Sequence, residues 1–186
     1  MDPDAKVQVA TLGTALYYRP YKTEGNFIGD GKGAYTDTAL KSALEEVDEN
    51  GKLVMKRIYG LASTPDFGGQ PNTIDTTTLD NTKAETSVLG LQPAAEVTYE
   101  INMMTFADVP ADGKTEHNLR AVKAMADDKV KAHWVVIKAS GVIIEYDAET
   151  HISYTADAQQ DIEKFSIYHN VKSDIAVSLP AEVVSE

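Results

Sequence analysis

The chain reads as a mainly β protein with a helical minority, and three observations carry that reading. Apolar and polar residues alternate at period two along Glu96–Met103 and Val142–Glu149, Ser140-Gly141 turns the second run back on its neighbour, and no linker or repeat divides the 186 residues. A chain of this length buries roughly 70% of its unfolded surface in one core. A single domain over 1–186 is therefore expected.

The elements follow in order. A first strand is expected over Val7–Tyr18, with tyrosines at its end in Gly13-Thr14-Ala15-Leu16-Tyr17-Tyr18. Glycine is concentrated in Gly25–Gly33, which reads as a loop. Thr38–Val47 sets Leu40, Ala43, Leu44 and Val47 on one helical stripe, and Asn50-Gly51 ends it in a turn. Lys52–Leu61 is the next strand. Ser63–Leu91 is a long polar connector in which Gly68, Gly69 and Pro71 set a bend, Thr73–Thr78 favours extended chain, and Asp80-Asn81 closes it.

In Glu96–Met103 the residues Val97, Tyr99, Ile101 and Met103 share one face, with Glu96, Thr98, Glu100 and Asn102 on the other. Thr115–Asp128 is a second helix, with Leu119, Val122 and Ala126 on one stripe, a threonine to cap its start, and Asp127 and Asp128 opposing the dipole at its end. Val130–Lys138 and Val142–Glu149 form a hairpin, followed by strands at Ile162–Val171 and Asp174–Leu179. The lone Trp134 lies where the first hairpin strand becomes apolar on both faces, which demands a cover. The Thr115–Asp128 helix or a neighbouring subunit would supply it.

Composition excludes several functions. With 17 Lys plus Arg against 29 Asp plus Glu, the net charge of −12 disfavours a surface that grips nucleic-acid phosphates. There is no cysteine, so disulfides and thiol chemistry are excluded, and no apolar run reaches the roughly 18 residues of a membrane span. The first residues, Met1-Asp2-Pro3-Asp4, carry no export signal.

No catalytic, cofactor or metal constellation emerges from the motifs. Gly29-Asp30-Gly31-Lys32-Gly33 lacks the phosphate-loop spacing. Asp48-Glu49-Asn50-Gly51 resembles part of a calcium loop, but its twelfth position would be Arg57, which cannot coordinate a cation. His117, His133, His151 and His169 show no ligand pairing, no serine sits in a nucleophile elbow, and Glu45-Glu46 and Asp127-Asp128 suit solvated helix edges.

The string Pro65-Asp66-Phe67-Gly68-Gly69, then Ile74-Asp75-Thr76-Thr77-Thr78-Leu79, then Gly90-Leu91, resembles that of the major tail tube proteins of long-tailed bacteriophages. The order continues to match around it, from Gly13–Tyr18 and Arg57-Ile58-Tyr59-Gly60-Leu61-Ala62-Ser63 to the helix, hairpin and closing strand. Residues 21–50 look like an expansion relative to shorter members.

The resemblance implies two packed antiparallel β-sheets flanked by a helix, assembling into hexameric rings with a continuous inner barrel. The rings stack into a tube that conducts DNA into the host, so the expected place is the virion tail, made in the host cytoplasm. It implies a homo-oligomer with tape-measure, tail-completion and distal tail proteins as partners, and no enzyme or cofactor. Thr78, Leu79, Asp80, Asn81, Thr82, Lys83, Val88, Leu89 and Leu91, in the stretch Thr78–Pro93, are the expected inter-ring contact, with Gly25–Gly33 as a second. Glu96, Glu100, Glu145, Asp147 and Glu149 are the expected lumen carboxylates, repelling DNA so that it passes without tight binding. The alternatives are the tube of a contractile injection machine, or a monomeric β-sandwich recognition module using Tyr17-Tyr18-Arg19-Pro20-Tyr21.

Overall fold

A computed structural model of the chain describes residues 13–21, 27, 28, 33–65, 67, 73–75, 87–89, 96–104, 116–154 and 163–181, to which every structural statement applies. The elements are β1 (Ala15–Pro20), β2 (Ala34–Tyr35), α1 (Asp37–Glu45), β3 (Lys56–Ile58), β4 (Leu61–Ser63), β5 (Thr73–Asp75) and β6 (Ser87–Leu89). They continue as β7 (Glu96–Asn102), α2 (Asn118–Asp128), β8 (Lys131–Ile137), β9 (Ile143–Tyr154), β10 (Lys164–Val171) and β11 (Ala176–Pro180).

Hydrogen bonding links nine strands into one sheet, in the order β3-β1-β8-β9-β10-β7-β4, with β11 beside β9 and β2 beside β11. The pairings are antiparallel except for β2 with β11. The described residues thus form a mainly β fold around one curled, largely antiparallel sheet. β5 and β6 pair with each other as a separate ribbon.

The curl has a covalent cause. β3 and β4 lie at opposite ends of the strand order, yet only Tyr59 and Gly60 separate them in sequence. The expected strand Lys52–Leu61 therefore breaks there, changing partner from β1 to β7. Gly60 makes the break with φ +80°, and its carbonyl accepts from the Asn102 N–H at 2.7 Å. The buried Asn118 at the start of α2 fastens the join: Nδ2 donates to the Tyr59 and Asn102 carbonyls at 3.1 and 3.0 Å.

Inside the curl, Leu16, Tyr18, Val97, Tyr99, Ile101, Trp134, Val136, Ile144, Tyr146, Phe165 and Ile167 pack against Ala121 and Val122 of α2. Full burial of each large apolar side chain contributes about 1.5–3 kcal/mol. The other face of β1, β8 and β9 is covered as well, because Val135 and Ile143 pack with Tyr35 and Met55 and are flanked by Leu40, Ala43 and Leu44 of α1. Both covers of the Trp134 strand come from within the protomer: α2 inside, as expected, and α1 outside.

Local chemistry explains the boundaries. Thr36 caps α1, its Oγ1 accepting from the Ala39 N–H at 3.2 Å, and Asp37 complements the helix dipole. The Asp48 carboxylate accepts from the Asn50 and Lys52 N–H groups, both at 2.9 Å, so the calcium-like string is a turn. α2 starts at Asn118, three residues later than expected. Its N-cap is His117, without a side-chain cap bond, while Thr115 lies outside the described residues. At its far end Lys129 is left-handed and Lys123 pairs with Asp127 at 2.6 Å, offsetting one carboxylate near the negative dipole end. The hairpin closes as expected: Gly141 N–H donates to the Lys138 carbonyl at 2.9 Å, and Lys138 N–H to the Val142 carbonyl at 2.8 Å.

A side chain at position 60 meets two penalties. Its Cβ would lie 2.5 Å from the Asn102 carbonyl oxygen, at a φ that L-residues rarely adopt. At Gly51, φ +73°, nothing lies within 4 Å. Gly60→Ala is expected to lower stability by about 3 kcal/mol or more, and Gly51→Ala by about 1 kcal/mol. Urea denaturation of the two variants checks this, and equal losses would remove the seam from its place in the fold.

Candidate functional site

The hairpin about Ser140 pairs residues equally distant from it, so His133 on β8 faces Asp147 on β9. The register of β1 adds Arg19 opposite His133. His133 Nδ1 stands 2.8 Å from Asp147 Oδ1, and Nε2 3.1 Å from Glu145 Oε1. Each ring nitrogen of His133 thus has a carboxylate oxygen within hydrogen-bond distance. Both Glu145 oxygens accept from the Ile28 N–H at 3.0 Å, while the Phe27 ring lies 5.5 Å from that of His133. The polar trio therefore ties the 27–28 segment to the sheet.

That geometry corrects two expected lumen residues. Glu145 and Asp147 are 0% and 1% exposed, beneath a cover drawn from residues 21–50, and do not present charge on the protomer surface. Alternation identified their face of the strand correctly; it could not show that another segment lies over that face. The histidines were missed as partners because fourteen residues separate His133 from Asp147. The hairpin register, readable from Ser140-Gly141, was the signal that would have joined them.

The inner face carries a second polar chain. Tyr99 and Tyr146 hydroxyls are 2.7 Å apart, and the Tyr146 hydroxyl is 2.7 Å from His169 Nδ1. Burial pushes the Tyr146 hydroxyl well above the ordinary tyrosine pKa and His169 down from 6.5 to about 3. His169 is accordingly a neutral core imidazole, packed 4.1 Å from the Trp134 ring.

The open surface lies on the other half of the sheet. Registers of β7, β10 and β9 set Glu100, Ser166 and Ser153 in one row, Thr98, Tyr168 and His151 in the next, and Glu96, Asn170 and Glu149 in a third. Glu100, His151, Ser153, Tyr168 and Asn170 are exposed. Glu149 is half-buried and pairs with Lys172 at 3.3 Å. Of the five expected lumen carboxylates, the backbone places Glu96, Glu100 and Glu149 on this one face.

Val88 and Leu89 fall in the β5–β6 ribbon, whereas Thr78, Leu79, Asp80, Asn81, Thr82, Lys83 and Leu91 lie outside the described residues. In the aromatic cluster proposed for ligand recognition, Tyr18 and Arg19 are each 7% exposed and Tyr18 stacks 5.6 Å from Trp134. These side chains build the sheet. Among the described residues no helix is long and apolar enough to cross a membrane, and no group of three or more His, Cys, Asp or Glu could hold a metal ion. In comparisons with known proteins, the sequence matches no family model and no curated protein.

Two predictions follow from the buried polar groups. Replacing His133 by Met takes one hydrogen bond from each buried carboxylate while Glu145 keeps the Ile28 N–H, with an expected loss of about 1–3 kcal/mol, whereas His133→Met with Asp147→Leu recovers part of it. Chemical denaturation reads both, and a single-variant loss under about 1 kcal/mol contradicts the assignment. For His169, the unfolded imidazole takes up a proton below pH 6.5 and the folded one only near 3, so folding weakens as pH falls through that window. His169→Phe is expected to flatten the acid limb by up to about 1.4 kcal/mol per pH unit; an unchanged limb measured from pH 7 to 3 refutes it.

Proposed function

We propose that the protein is a structural subunit that self-assembles into stacked hexameric rings, forming a tail tube through which DNA passes. The observation that carries this reading is the two-sided character of β7, β10 and the C-terminal half of β9. One face of these strands is closed over the core, while the other carries polar side chains, with Glu100 exposed, Glu149 half-buried beside Lys172 and Glu96 in register. Turned to a channel, such a face repels phosphates, and the repulsion is screened over a Debye length of about 8 Å at physiological ionic strength. A duplex then slides without sticking.

Two further features support the reading. Ring closure provides partners for strand edges that are unpaired among the described residues, a recurrent solution to edge exposure. The β5–β6 ribbon forms a sheet of its own in the stretch whose sequence resembles the tube family, and its β6 falls within Thr78–Pro93, the segment proposed to bridge rings. The lumen set in this proposal is Glu96, Glu100 and Glu149; the ring's continuous inner barrel, the tail partners and the virion location come with the same reading.

Electron microscopy of concentrated protein, alongside light scattering, tests it. Rings or hollow filaments are expected, and a uniform monomer at every concentration overturns the proposal. A variant with residues 76–86 replaced by a short Gly-Ser turn is expected to keep the protomer's melting transition and lose filament growth.

A further inference from the structure

The register of β1 with β3 pairs Leu16 with Ile58, and its continuation would set Thr14 opposite Gly60 and Gly13 opposite Leu61. The turn at Gly60 instead carries the chain away to β7, so the two segments part. Between them opens a groove of about 520 Å³, lined by Gly13, Thr14 and residues 57–64. Its volume is within the range of clefts that hold ligands.

Three properties of the groove point to an occupant. β4 pairs with β7 along one edge, and no other described strand pairs with it, while Ala62 and Ser63 are exposed. A strand edge of this kind accepts an extended segment by backbone pairing. Arg57 lines the groove as a cation, its Nε enclosed and without a hydrogen-bond partner. Its guanidinium lies 5.0 Å from the centre of the Tyr59 ring, itself 37% exposed. Lys138 adds a second cation at the rim, its Nζ 3.4 Å from the Thr64 hydroxyl.

We propose that this groove receives an extended acidic segment of a second copy of the chain, laid along the open edge of β4 with a carboxylate on Arg57. Charge complementarity selects the occupant: a protein with 29 acidic residues and a net charge of −12 offers carboxylates over its surface, and the groove is lined by the cation Arg57, with Lys138 beside its Thr64. The contact is head-to-tail, since groove and segment are different surfaces, and head-to-tail contacts generate rings or filaments. The proposal rests on the assembly reading for its partner, although the groove's chemistry stands apart from the tube's shape.

Sedimentation velocity over a concentration series, with hydrogen exchange on the backbone amides of 57–64, tests it. Arg57→Gln is expected to weaken self-association about 10- to 100-fold, Arg57→Lys to restore part of it, and Lys41→Gln on the exposed side of α1 to leave it unchanged. In the wild type, amides of 60–64 are expected to gain protection on association. Unaltered melting of each variant separates a lost contact from a lost fold. Hollow tubes that form with these amides unprotected, or unaffected by Arg57→Gln, overturn the groove and leave the tube reading intact. Protection that accompanies open chains or pairs supports the groove and overturns the tube; no association at any concentration overturns both.

Discussion

The structure hangs on the requirement that one short stretch, Lys56–Ser63, serve both ends of the sheet. β3 bonds to β1 and β4 bonds to β7, so the intervening strands must curl until those ends meet. Only a residue without a side chain fits where the stretch switches partner, because Gly60 combines a left-handed φ with close approach to the Asn102 carbonyl. Asn118 then satisfies carbonyls on both sides of the join and fixes where α2 enters the curl. Packing of Ala121 and Val122 against the inner face follows from that placement.

The sheet is not uniform around the curl. Over β1, β8 and the first half of β9, a second layer built from α1, Tyr35, Met55 and the Phe27–Ile28 segment covers the outer face. Carboxylates on that face are drawn into hydrogen bonds with His133 and the Ile28 amide. Over β7, β10 and the rest of β9, the described residues place no such layer, and the outer face carries exposed polar side chains. The stretch that looked like an expansion in the sequence thus marks which half of the sheet is closed and which is open.

This division organises the functional proposal. A conduit needs a stiff wall, a surface that does not bind its cargo, and edges that recruit identical neighbours. The core supplies the first through packing on both faces of the Trp134 strand. Under the proposal the second falls to the polar rows of β7, β10 and β9, and the third to margins unpaired among the described residues, of which β4 is the one backed by a groove lined by Arg57. Neutral His169 and the linked tyrosines lie within the core and serve packing.

Much of the local structure was legible in the residues themselves. Alternation in Glu96–Met103 and Val142–Glu149 named the buried side chains, the stripe Leu40, Ala43 and Leu44 named the covering face of α1, and Ser140-Gly141 named the turn, because neighbours along a chain determine periodicity and turn chemistry. Three things needed the tertiary structure. Whether Glu145 faces water depends on Phe27 and Ile28, more than a hundred residues away in sequence, and period two reports a side without reporting its cover. The break at Tyr59–Gly60 depends on which strands compete for the same edges, a property of the whole sheet. The groove beside Arg57 exists only because that competition pulls β4 from β1, a separation in space that no local pattern of residues encodes.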